Sequence, residues 1–306
     1  MRAAVEKLRT GGELKGLILD YRSNGGGIMQ EAIKILGMFV PKGTEVVSTK
    51  GRTEDSRQVY RTSSEPILPD LPLAVLINGN SASASEIVTG ALQDLDRAVV
   101  IGQRSYGKGL VQSPRPLGYN AMLKLTTAKY YIPSGRCIQA IDYSHSQEGS
   151  VKAIPDSLIT EYRTRAGRKV YDGGGIMPDL FVPLDTTEMT PYYMEVAGRN
   201  ILYRYTMEYA DRNREKINAV ESIAQLDSLL DADTGMFDDF VRYAERNGVA
   251  PDRRQIRQSE RLLRALLRAY IGRNTPLEET GFYANYYVVD APVLKALEVF
   301  GEPHRE

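Results

Sequence analysis

Apolar positions along this chain follow two alternating rhythms. Leu17-Ile18-Leu19, Leu73 to Ile77 and Ala98 to Ile101 are short unbroken apolar runs, the mark of strands buried on both faces. Each ends in a loop. Asp20-Tyr21-Arg22-Ser23-Asn24-Gly25-Gly26-Gly27 follows the first run, Asn78-Gly79-Asn80-Ser81 the second, and Gly102 the third. Between them, Ile28 to Val40 repeats apolar residues at helical spacing (Ile33, Ile35, Leu36, Phe39) up to Pro41, and Ala84 to Leu95 is a second helical pattern. Strand, glycine loop, helix and strand again is the order of an α/β domain. A short charged helix over residues 2–10, closed by Gly11 and Gly12, precedes it.

The pattern then changes. Leu117 to Ile138 alternates and is rich in β-branched and aromatic residues, which predicts a β-rich stretch. Residues 160–184 read as loop plus strand, with Gly173-Gly174-Gly175 and Pro178-Asp179 among them. From about residue 186 the pattern is helical to the end. Leu262, Leu263, Leu266, Leu267 and Tyr270 form one apolar stripe over 254–271, opposite many arginines, and predict a helix facing a core.

Composition narrows the functional classes. The chain has 306 residues, 42% of them hydrophobic, with 39 Lys and Arg against 39 Asp and Glu. That balance supplies no overall field to draw in nucleic acid or an anionic membrane. Cys137 is the single cysteine, so there is no internal disulfide framework and no cysteine-rich zinc site. Cys137 lies within a strand pattern, a poor setting for a nucleophile. No run of about 18 apolar residues occurs, so the pattern predicts no membrane span. The first residues lack the apolar centre of a signal peptide, which leaves a cytoplasmic chain or one whose targeting segment lies upstream.

Ser83 is the first candidate for chemistry. In Asn80-Ser81-Ala82-Ser83-Ala84-Ser85-Glu86 it stands where a strand has ended and a helix begins. The first-turn N–H groups of a helix lack internal partners and, with the helix dipole, stabilise a developing oxyanion. The plainer reading is a helix cap, with Glu86 completing a capping box. The two histidines, His145 and His304, lie in polar segments unsuited to a Ser–His–Asp triad. Lys108, in Ser105-Tyr106-Gly107-Lys108-Gly109, is the remaining base. A lysine titrating near its ordinary ~10.4 is a poor base at neutral pH, and burial in an apolar site is what lowers it. The reading therefore expects Lys108 to be buried, with a solvated loop lysine as the plain alternative. Gly102 to Lys108 also fits the start of a phosphate-binding loop. Gly109 stands where a Ser or Thr is needed, however, and Pro114 and Pro116 deny it the following helix.

Taken in order, four segments resemble the carboxy-terminal processing peptidases, or tail-specific proteases: Leu17 to Gly27, Asn78 to Ile87, Gly102 to Gln112, and Leu125 to Arg136. A fifth, Gly173 to Asp179, fits the loop this family carries after its β-rich region. The resemblance covers roughly residues 15–183. It implies an α/β fold with a crotonase-like core of repeated β-β-α units, a β-rich extension and a C-terminal helical region. It implies a Ser–Lys–Gln group in which Ser83 is the nucleophile, Lys108 the general base and Gln112 the residue that orients the lysine. The oxyanion donors would be the backbone N–H of Ala84 and of Gly27, or of Gly26 if the turn is shifted by one. No metal or organic cofactor is implied. Substrates would be proteins or peptides bound by their C-terminal region, in the bacterial periplasm or cell envelope.

Members of this family normally carry a PDZ domain before the first strand, and only one helix precedes Leu17 here. The expected organisation is therefore a peptidase core over 1–184 without that domain, and a mainly helical region over 185–306. The C-terminal helices are candidates for packing back on the core, for pairing two copies, or for covering the surface such a domain would occupy. Two other functions stay open: a non-catalytic binding or scaffold module on this fold, and a crotonase-fold acyl-CoA enzyme that uses its oxyanion hole without a serine nucleophile.

Overall fold

Three apolar runs become the centre of a parallel sheet. A computed structural model describes residues 1–142, 152–153 and 159–301; His145 and His304 lie outside the described residues. β1 (Leu17–Asp20), β4 (Leu73–Ile77), β5 (Val99–Gly102) and β12 (Leu180–Phe181) lie side by side in that order, all parallel. Parallel neighbours require crossover connections. The one from β4 to β5 is α3 (Ala84–Asp94), which is buried along its whole length. Such a helix has no polar face because nothing on it meets water. It packs against α2 (Met29–Leu36) and β2 (Glu45–Gly51).

A second, antiparallel sheet runs in the order β3 (Gln58–Arg61), β2, β7 (Met122–Tyr131), β6 (Leu110–Pro116). It corrects one expectation. The β-rich stretch is not an extension, because β7 pairs with β2 and so shares a sheet with residues that the pattern left unassigned. β2 and β3 escape notice because they mix apolar with charged or polar residues. The inner faces of both sheets and the helices share one core, including Leu36, Phe39, Val47, Val75, Ile132 and Ile176. Among the described residues two small ribbons complete the strands, β8 (Ile141–Asp142) with β9 (Lys152–Ala153), and β10 (Glu161–Arg163) with β11 (Lys169–Tyr171).

The chain divides into two compact units. Met1–Pro183 together with the chain from Lys295 forms the first, and Leu184–Leu294 the second. The first unit also holds α1 (Arg2–Thr10). The end of α11 (Ala291–Gly301) belongs to this unit too. There Phe300 packs so closely on Gly16 that a Cβ added to Gly16 would lie 2.7 Å from its ring.

The second unit is all helical: α4 (Pro191–Gly198), α5 (Ile201–Arg212), α6 (Arg214–Asn218), α7 (Ile223–Ala232), α8 (Met236–Arg246), α9 (Arg253–Arg273) and α10 (Glu279–Tyr286). Tyr205, Phe240, Leu263 and Leu267 lie in its own core, with α9 flanked by α4, α5 and α10. No helix among the described residues is long and apolar enough to cross a membrane.

Candidate active site

The three loops that leave the carboxyl ends of β1, β4 and β5 converge, the position at which open parallel sheets carry their sites. The β1 loop is tied to the β4 loop by short bonds. Ser81 Oγ donates to the Tyr21 carbonyl at 2.7 Å, the Ser23 amide to Asn78 Oδ1 at 2.8 Å, and the Ala82 amide to the Asn24 carbonyl at 3.0 Å. Ser85 Oγ donates to Asn24 Oδ1 at 2.9 Å. Two of the three clustered serines thus brace the glycine loop.

Ser83 is different. It is half-buried, in a run whose neighbours are buried, and its backbone has φ 59° and ψ −119°. Helix caps ordinarily sit in the β region. For a side-chain-bearing residue this conformation costs about 1–3 kcal/mol and persists only where the surroundings impose it. The capping box is present as well. Its strong half is the Ser83 amide donating to Glu86 Oε2 at 2.8 Å, because the Glu86 amide is already met by the Ser83 carbonyl at 2.9 Å. The cap reading and the strained turn therefore coexist at one residue.

Gly26 lies directly against that turn. A Cβ there would come within 2.6 Å of the Ala82 carbonyl and 2.7 Å of the Ala84 nitrogen, and its φ of +93° is one that side chains resist. The Gly26 amide donates to Asn24 Oδ1 at 2.9 Å. Among the described residues no acceptor meets the amides of Ala84 or Gly27. Of the two glycine amides expected as oxyanion donors, Gly27 is thus the one left open.

Lys108 arrives from the β5 loop with its backbone fixed. Its amide donates to Glu86 Oε2 at 2.9 Å, the same oxygen that receives the Ser83 amide. Its carbonyl accepts from Tyr130 Oη, which also reaches the Ser83 carbonyl at 3.3 Å. The loop is fastened to the β4 loop again by the Tyr106 amide, which donates to the Ser81 carbonyl at 2.9 Å. At Gly107, φ is +86° and a Cβ would fall 2.3 Å from that of Ala140, so the turn before the lysine admits no side chain.

The burial expected of Lys108 is a correction. Its side chain is exposed, because the loop turns its backbone inward to Glu86 and Tyr130 and leaves the stem outside. Gln112, on β6 opposite Thr126 and beside a bulge, is exposed as well. Among the described residues no hydrogen bond joins Lys108 Nζ to the Ser83 hydroxyl or to Gln112. The structure brings Ser83, Ala84, Gly26 and the Lys108 backbone together, with Gly27 next in the Gly26 loop, and leaves the side chains of Lys108 and Gln112 in solvent.

Other residues in and around the segments that carry the resemblance are structural. Arg136 is wholly buried, 2.8 Å from Asp94 Oδ1 and from Gln93 Oε1. Asp179 accepts from the Val100 amide at 2.8 Å and from Gln93 Nε2 at 3.0 Å. Burial raises the pKa of the Cys137 thiol, which disfavours the thiolate that a nucleophile needs.

Sequence reasoning missed two residues. Glu86 had a signal, its place three residues after Ser83, but that signal announced only a cap. Tyr130 had none beyond a strand pattern.

Residues 1–145 match the family model described as peptidase family S41, and residues 192–275 match one described as a family of unknown function. A carboxy-terminal-processing protease of Bartonella bacilliformis is 51% identical over 129 residues, which are 42% of this chain and 30% of that protein. A probable CtpA-like serine protease of Staphylococcus epidermidis is 33% identical over 166 residues, 51% of this chain and 33% of the relative. The chain thus spans about a third of the length of the curated relatives it matches. Among solved structures, a photosystem II D1 C-terminal processing protease aligns with a TM-score of 0.44 and 27% identity, over 61% of this chain and 39% of that one. Residues 1–145 thus match a peptidase family S41 domain, and this part of the chain is similar to carboxy-terminal-processing proteases.

Proposed function

We propose that the first unit is the core of a serine endopeptidase, crotonase-like in build, that cuts protein chains at or near their C-terminal tails. The observation that carries the reading is the strained backbone of Ser83 at the start of α3, beside the open amide of Ala84 and packed against Gly26, whose loop continues to the open amide of Gly27. Ser83 Oγ attacks the scissile carbonyl and Lys108 takes its proton. The oxyanion is received by the two amides, assisted by the dipole of α3. Collapse expels the amine, which takes the proton back from Lys108, and leaves an acyl-enzyme. Water, deprotonated by Lys108, then releases the acid and restores Ser83.

The backbone of Lys108 is fixed and its stem is free, so a substrate that covers the site would both bring Nζ to the hydroxyl and supply the burial that a lysine base requires. A catalytic hydrogen bond that is long in the free enzyme commonly tightens when substrate binds. Gln112, on β6 after the loop that carries Lys108, would orient the ammonium. The family relation points to action in the bacterial periplasm or envelope.

One observation favours a second reading, a non-catalytic binding module: Lys108 is exposed and makes no bond to Ser83. A serine-directed fluorophosphonate separates the two. Labelling of Ser83 that is lost in Lys108→Ala, with the fold unchanged by circular dichroism, supports the peptidase. Equal labelling of both proteins removes Lys108 as the base.

A further inference from the structure

A capping box needs one acceptor from its glutamate, yet Glu86 receives four donors. Oε2 accepts the amides of Ser83 at 2.8 Å and Lys108 at 2.9 Å, and Oε1 accepts the Gly107 amide at 2.7 Å and Ser105 Oγ at 2.5 Å. The side chain is wholly buried, and among the described residues no ion pair reaches it. A buried carboxylate without a cation is tolerated only when its lone pairs are filled. Here the β4 and β5 loops fill them jointly. The carbonyl side is closed in the same way: the buried Tyr130 hydroxyl, with one proton to give, is shared between the carbonyls of Ser83 and Lys108. The amide and the carbonyl of each residue therefore meet on two side chains that belong to neither loop.

We propose that Glu86 and Tyr130 are positioning residues, a two-sided clamp that fixes the Lys108 backbone against that of Ser83 and so sets the reach of the base to the nucleophile. This rests on the Ser83–Lys108 reading above. It explains how a site can place an exposed, flexible lysine: the side chain is unconstrained, but its point of attachment is locked. Removing either partner frees one side of the lock. In Glu86→Gln one oxygen remains to accept, and the new amide group points its own protons at two facing donors. In Tyr130→Phe only the hydroxyl is lost and the ring stays in the core, which keeps the test open if the glutamine variant fails to fold.

The experiment is single-turnover cleavage, with enzyme in excess, of an unstructured polypeptide bearing an apolar C-terminal tail. Parent, Glu86→Gln, Tyr130→Phe and Ser83→Ala are compared. Excess enzyme makes the rate insensitive to an inactive fraction. Hydrogen exchange at the Ser83 and Lys108 amides is read on the same proteins, since a merely stabilising residue would not loosen these amides selectively. The expected result is a rate lower by on the order of tenfold to a hundredfold in both clamp variants, with faster exchange at Lys108 and unchanged exchange in the body of α3. Variants that cleave at the parent's rate overturn the clamp while leaving the peptidase standing. A parent that cleaves no better than Ser83→Ala overturns the peptidase reading, and the positioning role with it.

Discussion

Ser83 holds a conformation that its own side chain disfavours, and Gly26 is the neighbour that lets it do so. Gly26→Ala puts a methyl group 2.6 Å from the Ala82 carbonyl at a φ of +93°. The variant is expected to lose about 1–3 kcal/mol, read as a lower urea midpoint, and to lose cleavage as well; an unchanged midpoint contradicts this. Glu86 makes a second prediction. Burial raises its pKa, against the opposing pull of Ser105 and the amides of Lys108, Gly107 and Ser83. The folded chain thus holds this proton more tightly than the unfolded one. Its contribution to stability is full below the ordinary glutamate range and is lost as pH rises through the raised value. The clamp runs the other way, because four donors require the carboxylate. The amide resonances of Ser83, Gly107 and Lys108 should therefore shift together on acidification at a pH above the ordinary ~4.3 while the fold persists. Nuclear magnetic resonance recorded beside circular dichroism checks it; shifts that coincide with loss of structure contradict it.

At the scale of elements, α3 carries the argument from one end to the other. Its first turn presents Ser83, Ala84 and Glu86, and its last residue, Asp94, meets Arg136 with both side chains wholly buried. Burial lowers the Arg136 pKa even with Asp94 beside it. Arg136→Met leaves a buried carboxylate without its cation and is expected to cost about 3–5 kcal/mol, measured by urea denaturation; a loss under about 1 kcal/mol would remove the pair from the account.

Much of this element was legible beforehand. β1, β4 and β5 are short, largely apolar runs, and α3 repeats apolar residues at helical spacing after a serine cluster, so each is recognised without its partner. β2 and β3 were not legible, since among the described residues β3 pairs only with β2, and the pairing of β2 with β7 depends on residues more than sixty positions away. The site divides the same way. A serine between strand and helix, a glycine loop and a lysine are local signals. That Glu86 would collect the 105–108 loop, and that the stems of Lys108 and Gln112 would stay outside, are consequences of tertiary packing and leave no local trace.

The molecule as a whole has two cores, one around the parallel sheet and α3 and one around α9. Units with separate cores fold separately. Residues 184–294 expressed alone should retain helical circular dichroism and melt cooperatively; a non-cooperative melt contradicts that. The peptidase reading belongs to the first unit, where the three loops, Glu86 and Tyr130 all lie. Its most direct test is mass spectrometry of an unstructured protein with an apolar C-terminal tail, incubated with the parent chain or with Ser83→Ala. C-terminal fragments are expected with the parent and an intact substrate with the variant. Fragments produced equally by both, or by neither, would contradict Ser83 as the nucleophile of an active peptidase.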